Sequence, residues 1–90
     1  MIYNHSELQK KLIYATNPAG GTAVVATHVM FAPANLRTDA EGWQIQNLIY
    51  DTASPPNLVR TLFPRNSEGN CSPEFRFVAD DYLSYTYGPA

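Results

Sequence analysis

The stretch that decides the fold is residues 22–32, TAVVATHVMFA. It is rich in β-branched residues and is apolar at both odd and even positions, a pattern typical of a strand that is covered on both faces. We therefore predict a central β-strand here, with Val25 and Val29 buried. Pro33 follows directly and, because it has no backbone N–H, ends the strand or places a bulge in it.

The next strand is predicted over residues 43–51, WQIQNLIYD, which alternate in polarity. Trp43 and Ile45 lie on one face, and Asn47 interrupts that face further along. Residues 38–42 come before this strand and end in glycine, as in a hairpin with a bulge. The two strands are therefore expected to pair antiparallel.

The segment before the central strand, residues 4–16, predicts an N-terminal helix. Asn4 suits an N-cap, and Glu7 three residues later completes a capping box. Leu8 and Leu12 are spaced to share one helical face. The Asn-Pro-Ala-Gly-Gly run that follows is rich in helix breakers. We expect this helix to pack on the sheet through its apolar face.

Residues 54–64, SPPNLVRTLFP, are ambiguous between helix and strand. Ser54 followed by proline suits the start of a helix, and the apolar residues after it fall at helical spacing. A strand would alternate more cleanly. A short second helix is therefore favoured.

Residues 74–87, EFRFVADDYLSYTY, alternate again and predict a second hairpin. Asp80 and Asp81 fit its two-residue turn, because aspartate tolerates turn geometry well. In this arrangement Tyr85 and Tyr87 share one face of the second arm, and the side chain at position 82 points to the other.

These elements predict one domain, residues 1–90, with an α+β fold. The expected architecture is a small antiparallel sheet of about four strands in two hairpins, with the N-terminal helix and the short helix packed on one face. A small β-barrel with a helical lid is the alternative.

Composition limits the classes of partner. Charged residues make up 16% of the chain and the formal net charge is −2, against about 25% charged residues in an average domain. The six basic residues are dispersed, so nucleic-acid binding is not expected. No run approaches the roughly 20 apolar residues of a membrane span, and the first residues do not resemble a secretion signal. A cytoplasmic protein without membrane contact is expected.

Neither catalysis nor cofactor binding has a recognisable motif. His28 is the histidine within the central strand, with no acidic residue near it in sequence to orient it as a general base. The single cysteine, Cys71, lies in a polar loop and has no partner for a disulfide. Two histidines and one cysteine show no ligand-like spacing, so we expect no metal and no cofactor. A protein without enzyme activity is favoured over a small enzyme.

The favoured function is a non-catalytic interaction module that acts by protein–protein contact, either as a homo-oligomer or as a small inhibitor-like or adaptor-like accessory protein. Aromatic residues are common in protein interfaces, and tyrosine tolerates both core and surface. The predicted contact surface consists of Tyr82, Tyr85, Tyr87 and Trp43. Whether the tyrosines belong to the core or to the surface stays open from the pattern.

The alternative function is a small-ligand binding protein or small enzyme, with an anion-binding pocket between helix and sheet. Arginine side chains would hold the anion, and a histidine or tyrosine would complete the site. The candidate residues are His28, Arg37, Arg60 and Arg76, with Arg65 as a further possibility.

Overall fold

The computed structural model describes residues 8–90, which form an antiparallel six-stranded sheet. The elements are β1 Leu8–Thr16, β2 Val24–Pro33, β3 Glu41–Tyr50, β4 Leu58–Pro64, β5 Phe77–Val78, a 3-10 turn Ala79–Asp81 and β6 Tyr87–Gly88. The strand order is β1-β2-β3-β4-β6, and β5 pairs with β3. No helix in this part of the chain is long and apolar enough to cross a membrane.

The prediction of a central strand is confirmed in β2, which pairs with β1 on one side and with β3 on the other. Val25 and Val29 are 9% and 8% exposed, so both are buried as expected. The antiparallel pairing with the next strand is confirmed as well, with Met30 opposite Ile45. A strand therefore flanks the apolar run on each edge, and Val29 and Met30, which point to opposite faces of the sheet, are both buried.

The core lies on one face of the sheet, where the C-terminal segment folds back over β2 and β3. Trp43, Met30 and Ile45 are fully buried there. Burying such side chains stabilises the fold by about 1.5–3 kcal/mol each. The complete buried cluster consists of Met30, Ala32, Trp43, Ile45, Phe77 and Ala79.

The predicted α+β class is wrong, first because the expected N-terminal helix is a strand. Residues from Leu8 to Thr16 form β1 and pair with β2 along their whole length. Leu8 and Leu12 are 46% and 38% exposed, so they do not form a buried helical stripe. Pairing with β2 supplies the backbone hydrogen bonds, and this tertiary context overrides local propensity. The expected cap at Asn4 and Glu7 lies outside the described residues.

The short helix predicted over residues 54–64 is also wrong. Leu58–Pro64 forms β4, which pairs antiparallel with β3 and places Leu62 opposite Asn47. Leu58 and Val59 are more than half exposed. The apolar residues at helical spacing therefore do not share one buried face, and their spacing misled the prediction.

The second predicted hairpin, residues 74–87, does not form. β5 pairs with β3, and β6 pairs with β4, so the two arms bond to earlier strands rather than to each other. Asp80 and Asp81 lie in the 3-10 turn. The sheet path ends at β1 and at β6, so the barrel with a helical lid does not describe residues 8–90 either.

Candidate binding cleft

A cleft of about 670 Å3 opens beside the core. Its floor includes a row of residues that runs across the sheet, in which Ile13 lies opposite His28 and His28 opposite Asn47. This volume is within the range of about 300–1,000 Å3 that is usual for ligand pockets. The lining residues are Ile13, Tyr14, Ala15, Asn17, Pro18, Ala19, Thr27, His28, Asn47, Leu48, Ile49, Tyr50, Tyr82, Leu83, Tyr85 and Tyr87.

A β-bulge in β2 shapes the floor of the cleft. Ile13 pairs with His28 and Tyr14 pairs with Ala26, so Thr27 is the extra residue between them. Thr27 Oγ1 lies 3.0 Å from His28 Nδ1 and donates to the Ile13 carbonyl at 3.4 Å. Bulges commonly redirect side chains next to binding sites. Here two consecutive residues, Thr27 and His28, both line the cleft.

His28 lies between two tyrosine rings. Its ring centroid is 4.9 Å from that of Tyr82 and 5.5 Å from that of Tyr87, with interplanar angles of 66° and 63°. These edge-to-face geometries are favourable for aromatic pairs. Burial lowers the pKa of His28 from its ordinary value of 6.5, so the imidazole is neutral at pH 7. The ring nitrogen Nδ1 contacts Thr27 Oγ1, and Nε2 is the other polar atom of the ring.

Hydrogen bonds fix the tyrosines that form one wall of the cleft. The Tyr87 hydroxyl donates to the Tyr82 carbonyl at 2.6 Å, and the Tyr85 hydroxyl accepts from the Val78 N–H at 2.9 Å. The Tyr85 ring also packs edge-to-face on Phe77 at 5.2 Å. Burial is the main cause that raises the pKa of Tyr87, with smaller effects of its two tyrosine neighbours. Tyr87 is therefore neutral, and the hydrogen bonds hold the wall in place.

The far end of the cleft is closed by the loop between β1 and β2. Asn17 is 4% exposed; its Nδ2 donates to the Asp51 carbonyl at 2.9 Å and its Oδ1 accepts from the Ala19 N–H at 3.1 Å. On the same side, the Tyr50 hydroxyl donates to the Ala26 carbonyl at 2.9 Å. The Asn17–Asp51 bond ties the loop to the end of β3, and the Tyr50–Ala26 bond ties β3 to β2, so hydrogen bonds hold this end of the cleft in place.

None of the described residues that line the cleft is charged. The arginines of the alternative site, Arg37, Arg60, Arg65 and Arg76, all lie outside it. Arg37 forms a salt bridge with Asp39 at 3.0 Å, and Arg76 pairs with two glutamates at 2.9 and 3.2 Å. The structure therefore does not bring an arginine together with the histidine of this cleft.

The predicted contact residues are divided by the structure. Tyr82, Tyr85 and Tyr87 meet in the cleft and are half-buried, so they belong partly to the core and partly to the surface. The expectation that Tyr82 points away from the other two is wrong, because the 3-10 turn replaces the hairpin alternation. Trp43 is fully buried, and its Nε1 donates to the Arg37 carbonyl at 2.9 Å.

Sequence reasoning missed Thr27, Asn47 and Leu83 as site residues. Asn47 could have been found from its position on an otherwise apolar strand face. Thr27 lines the cleft together with His28 at a bulge, which depends on the pairing of β1 with β2 and leaves no local signal. Chemically, the cleft offers hydrogen bonds from amide, hydroxyl and imidazole groups within an aromatic and aliphatic lining.

Acidic side chains and cysteine do not occur among the described residues that line the cleft. No group of three His, Cys, Asp or Glu side chains within residues 8–90 is arranged to hold a metal. No carboxylate among the lining residues is placed to orient His28. Comparison with models of protein families, with characterised proteins and with solved structures finds no match to this chain.

Proposed function

We propose that the protein is a non-catalytic interaction module whose cleft receives an uncharged, largely apolar segment of another protein. The observation that carries this proposal is the combination of a preformed cleft of about 670 Å3 with a lining that holds no charge. A charged group placed there would lose its hydration without gaining an opposite charge, which costs several kcal/mol. An aromatic or aliphatic side chain would lose nothing comparable.

The rim of the cleft supports a protein partner. Leu83 is 79% exposed and Tyr14 is 62% exposed, and both border the cleft. Apolar and aromatic residues around a pocket are typical of the buried centre of protein interfaces. Below the rim, His28 and Asn47 supply hydrogen-bonding groups that would fix the orientation of the inserted segment.

The proposal is tested by selecting binders from a displayed library of random peptides against the full chain. We expect the enriched peptides to share an uncharged anchor with at least one aromatic or large aliphatic residue. Leu83→Asp adds a charge at the rim and is expected to weaken binding at least about tenfold. Val59→Asp is the matched control, because Val59 is 53% exposed and lies outside the cleft.

Enriched peptides with charged anchors, or peptides whose affinity responds equally to both variants, would contradict the proposal. Because both substitutions are at exposed positions, the fold is expected to survive each of them.

A second candidate function, binding of a small uncharged ligand, is favoured by one observation: the two polar groups, His28 and Asn47, lie side by side on the cleft floor. A ligand with an apolar body and one or two hydrogen-bonding groups would suit this arrangement. Screening neutral fragments by NMR separates the two functions. Fragments that bind at micromolar affinity without a peptide would favour the small ligand.

We also propose a cytoplasmic location and no nucleic-acid partner. The second of these rests on the dispersed basic residues and the net charge of −2. The thiol of Cys71 is free in the structure, which is compatible with a reducing compartment.

A further inference from the structure

The first strand is an edge strand with a row of backbone groups directed outward. Within residues 8–90, β1 pairs with β2 alone. The Ile13 carbonyl accepts from Thr27 on β2, and the Asn17 N–H donates to Ala23 at 2.8 Å. Odd-numbered residues thus direct their backbone groups toward β2. Because N–H and C=O alternate sides along a strand, the even-numbered residues direct theirs to the free edge.

We propose that β1 pairs antiparallel with β1 of a second copy of this chain, with Leu12 of the two copies directly opposite. In this symmetric register all nine residues from Leu8 to Thr16 have a partner, and any other symmetric register leaves some of them unpaired. The outward-facing residues of the two copies would exchange about ten backbone hydrogen bonds. Each copy contributes the same surface, as a twofold dimer requires.

The charges on β1 favour the same register. Lysines on an edge strand usually discourage pairing, and like charges directly opposite are destabilising. Registers centred on Lys10 or on Lys11 would place each of these residues opposite its own copy. The register centred on Leu12 places Lys10 opposite Tyr14 of the second copy and Lys11 opposite Ile13. The ammonium group of Lys10 then lies beside an aromatic ring, which attracts it.

Pairing of this kind also covers exposed apolar surface. Leu8, Leu12 and Tyr14 are 46%, 38% and 62% exposed. All three are outward-facing residues of β1, and each would gain a neighbour across the new strand pair. The contact is made by the strand edge and not by the tyrosine wall of the cleft, and the two surfaces share Tyr14, which also borders the cleft.

The first test is sedimentation equilibrium of the full chain between 1 and 100 micromolar, roughly the range in which weak homodimers dissociate. The expected species has twice the 10.0 kDa mass of one chain. Tyr14→Lys places a lysine opposite Lys10 at each of the two symmetry-related contacts and is expected to raise the dissociation constant about tenfold. Adding Lys10→Glu converts both contacts into opposite charges and is expected to restore the dimer. Val59→Lys, at 53% exposure on β4, is the matched control.

If only the monomer is found at about 100 micromolar, the highest concentration tested, the proposal is overturned. A dimer that Tyr14→Lys and Val59→Lys weaken equally, or one that Lys10→Glu does not restore, would overturn it as well.

A second test does not depend on the folding of the lysine variant. Directly opposite residues of a hydrogen-bonded antiparallel pair have Cα atoms about 5.5 Å apart, which a disulfide can span. In a Cys71→Ser background, Leu12→Cys is expected to form a covalent dimer under mild oxidation. Thr16→Cys, which lies opposite Leu8 in this register, is expected to remain monomeric. Absence of the Leu12→Cys cross-link, or equal cross-linking of both variants, would overturn the register.

Discussion

Removal of the Tyr87 hydroxyl tests whether the tyrosine wall is held by its hydrogen bonds. In Tyr87→Phe the ring remains against His28, where the centroids are 5.5 Å apart. The variant loses only the bond to the Tyr82 carbonyl, which is 2.6 Å long and part-buried. That bond ties β6 to the chain just after the 3-10 turn, so its loss loosens one side of the cleft.

The expected magnitude follows from the nature of this bond. A neutral intramolecular hydrogen bond contributes about 0.5–1.5 kcal/mol net. Leaving its carbonyl without a partner raises the cost toward about 2 kcal/mol, because the group is only partly open to water. In a domain of this size, a change of 1 kcal/mol lowers the midpoint of thermal unfolding by about 4–8 °C. We therefore expect Tyr87→Phe to unfold roughly 5–10 °C below the parent chain.

Fluorescence of Trp43, the single and fully buried tryptophan, reports unfolding directly. Tyr82→Phe is the matched control: it removes a hydroxyl from the same wall, and within residues 8–90 that hydroxyl makes no hydrogen bond, so its effect should stay within about 0.5 kcal/mol. Equal midpoints for the two variants would show that ring packing alone holds the wall and that the Tyr87 hydrogen bond contributes nothing measurable.

The remaining predictions concern His28 on the cleft floor, Gly42 at the start of β3 and Val25 in the buried strand β2. Because burial lowers the folded-state pKa of His28, the unfolded state binds the proton more readily, and the free energy of unfolding should fall as the pH drops below about 6.5. In denaturant titrations, His28→Gln should flatten this dependence between about pH 5 and 7. Gly42, at the start of β3, has φ +130°, and an added Cβ would lie 2.8 Å from Leu36 Cδ2. Gly42→Ala should therefore lower the free energy of unfolding by about 1–3 kcal/mol, and an unchanged midpoint would show that the start of β3 relaxes freely. Val25→Ala should lower the free energy of unfolding by about 1–3 kcal/mol, whereas Val24→Ala, at the exposed neighbouring position, should lower it by under about 0.5 kcal/mol. Similar urea midpoints for the two variants would show that β2 is not buried as described.

The pairing of β2 with β3 was predictable because its signals are local. The β-branched run in β2 and the alternation of Trp43 and Ile45 identify two strands, and residues 34–40 connect them directly, without an intervening helix or strand. Neighbouring strands joined by a short connection usually pair. The buried state of Val25 and Val29 follows from the same pattern.

The first and fourth strands were not predictable, because they lie toward the edges of the sheet and are largely exposed. An exposed strand need not alternate, so Leu8 and Leu12 in β1, and Leu58 and Leu62 in β4, fell at helical spacing without forming a helix. Their conformation is decided by the neighbouring strand that supplies the hydrogen bonds, which is a non-local effect.

The cleft was predictable only in part. The density of tyrosines near the C-terminus of the sequence indicated a contact surface, and Asn47 marked an interruption of an apolar face. Which residues meet depends on the C-terminal segment, whose short strands pair with β3 and β4 across long stretches of chain. Local alternation does not specify such partners, so the meeting of His28 with Tyr82 and Tyr87 had no signal in sequence.

The most direct test of the neutral cleft is an NMR titration of the full chain with a peptide selected for binding, following aromatic ring signals. We expect the largest shifts at His28, Tyr82 and Tyr87, and none of these shifts with the same peptide carrying glutamate at its anchor position. Shifts centred instead on the exposed β4 residues or around Arg76, with the His28 ring unchanged, would show that the peptide does not enter the cleft.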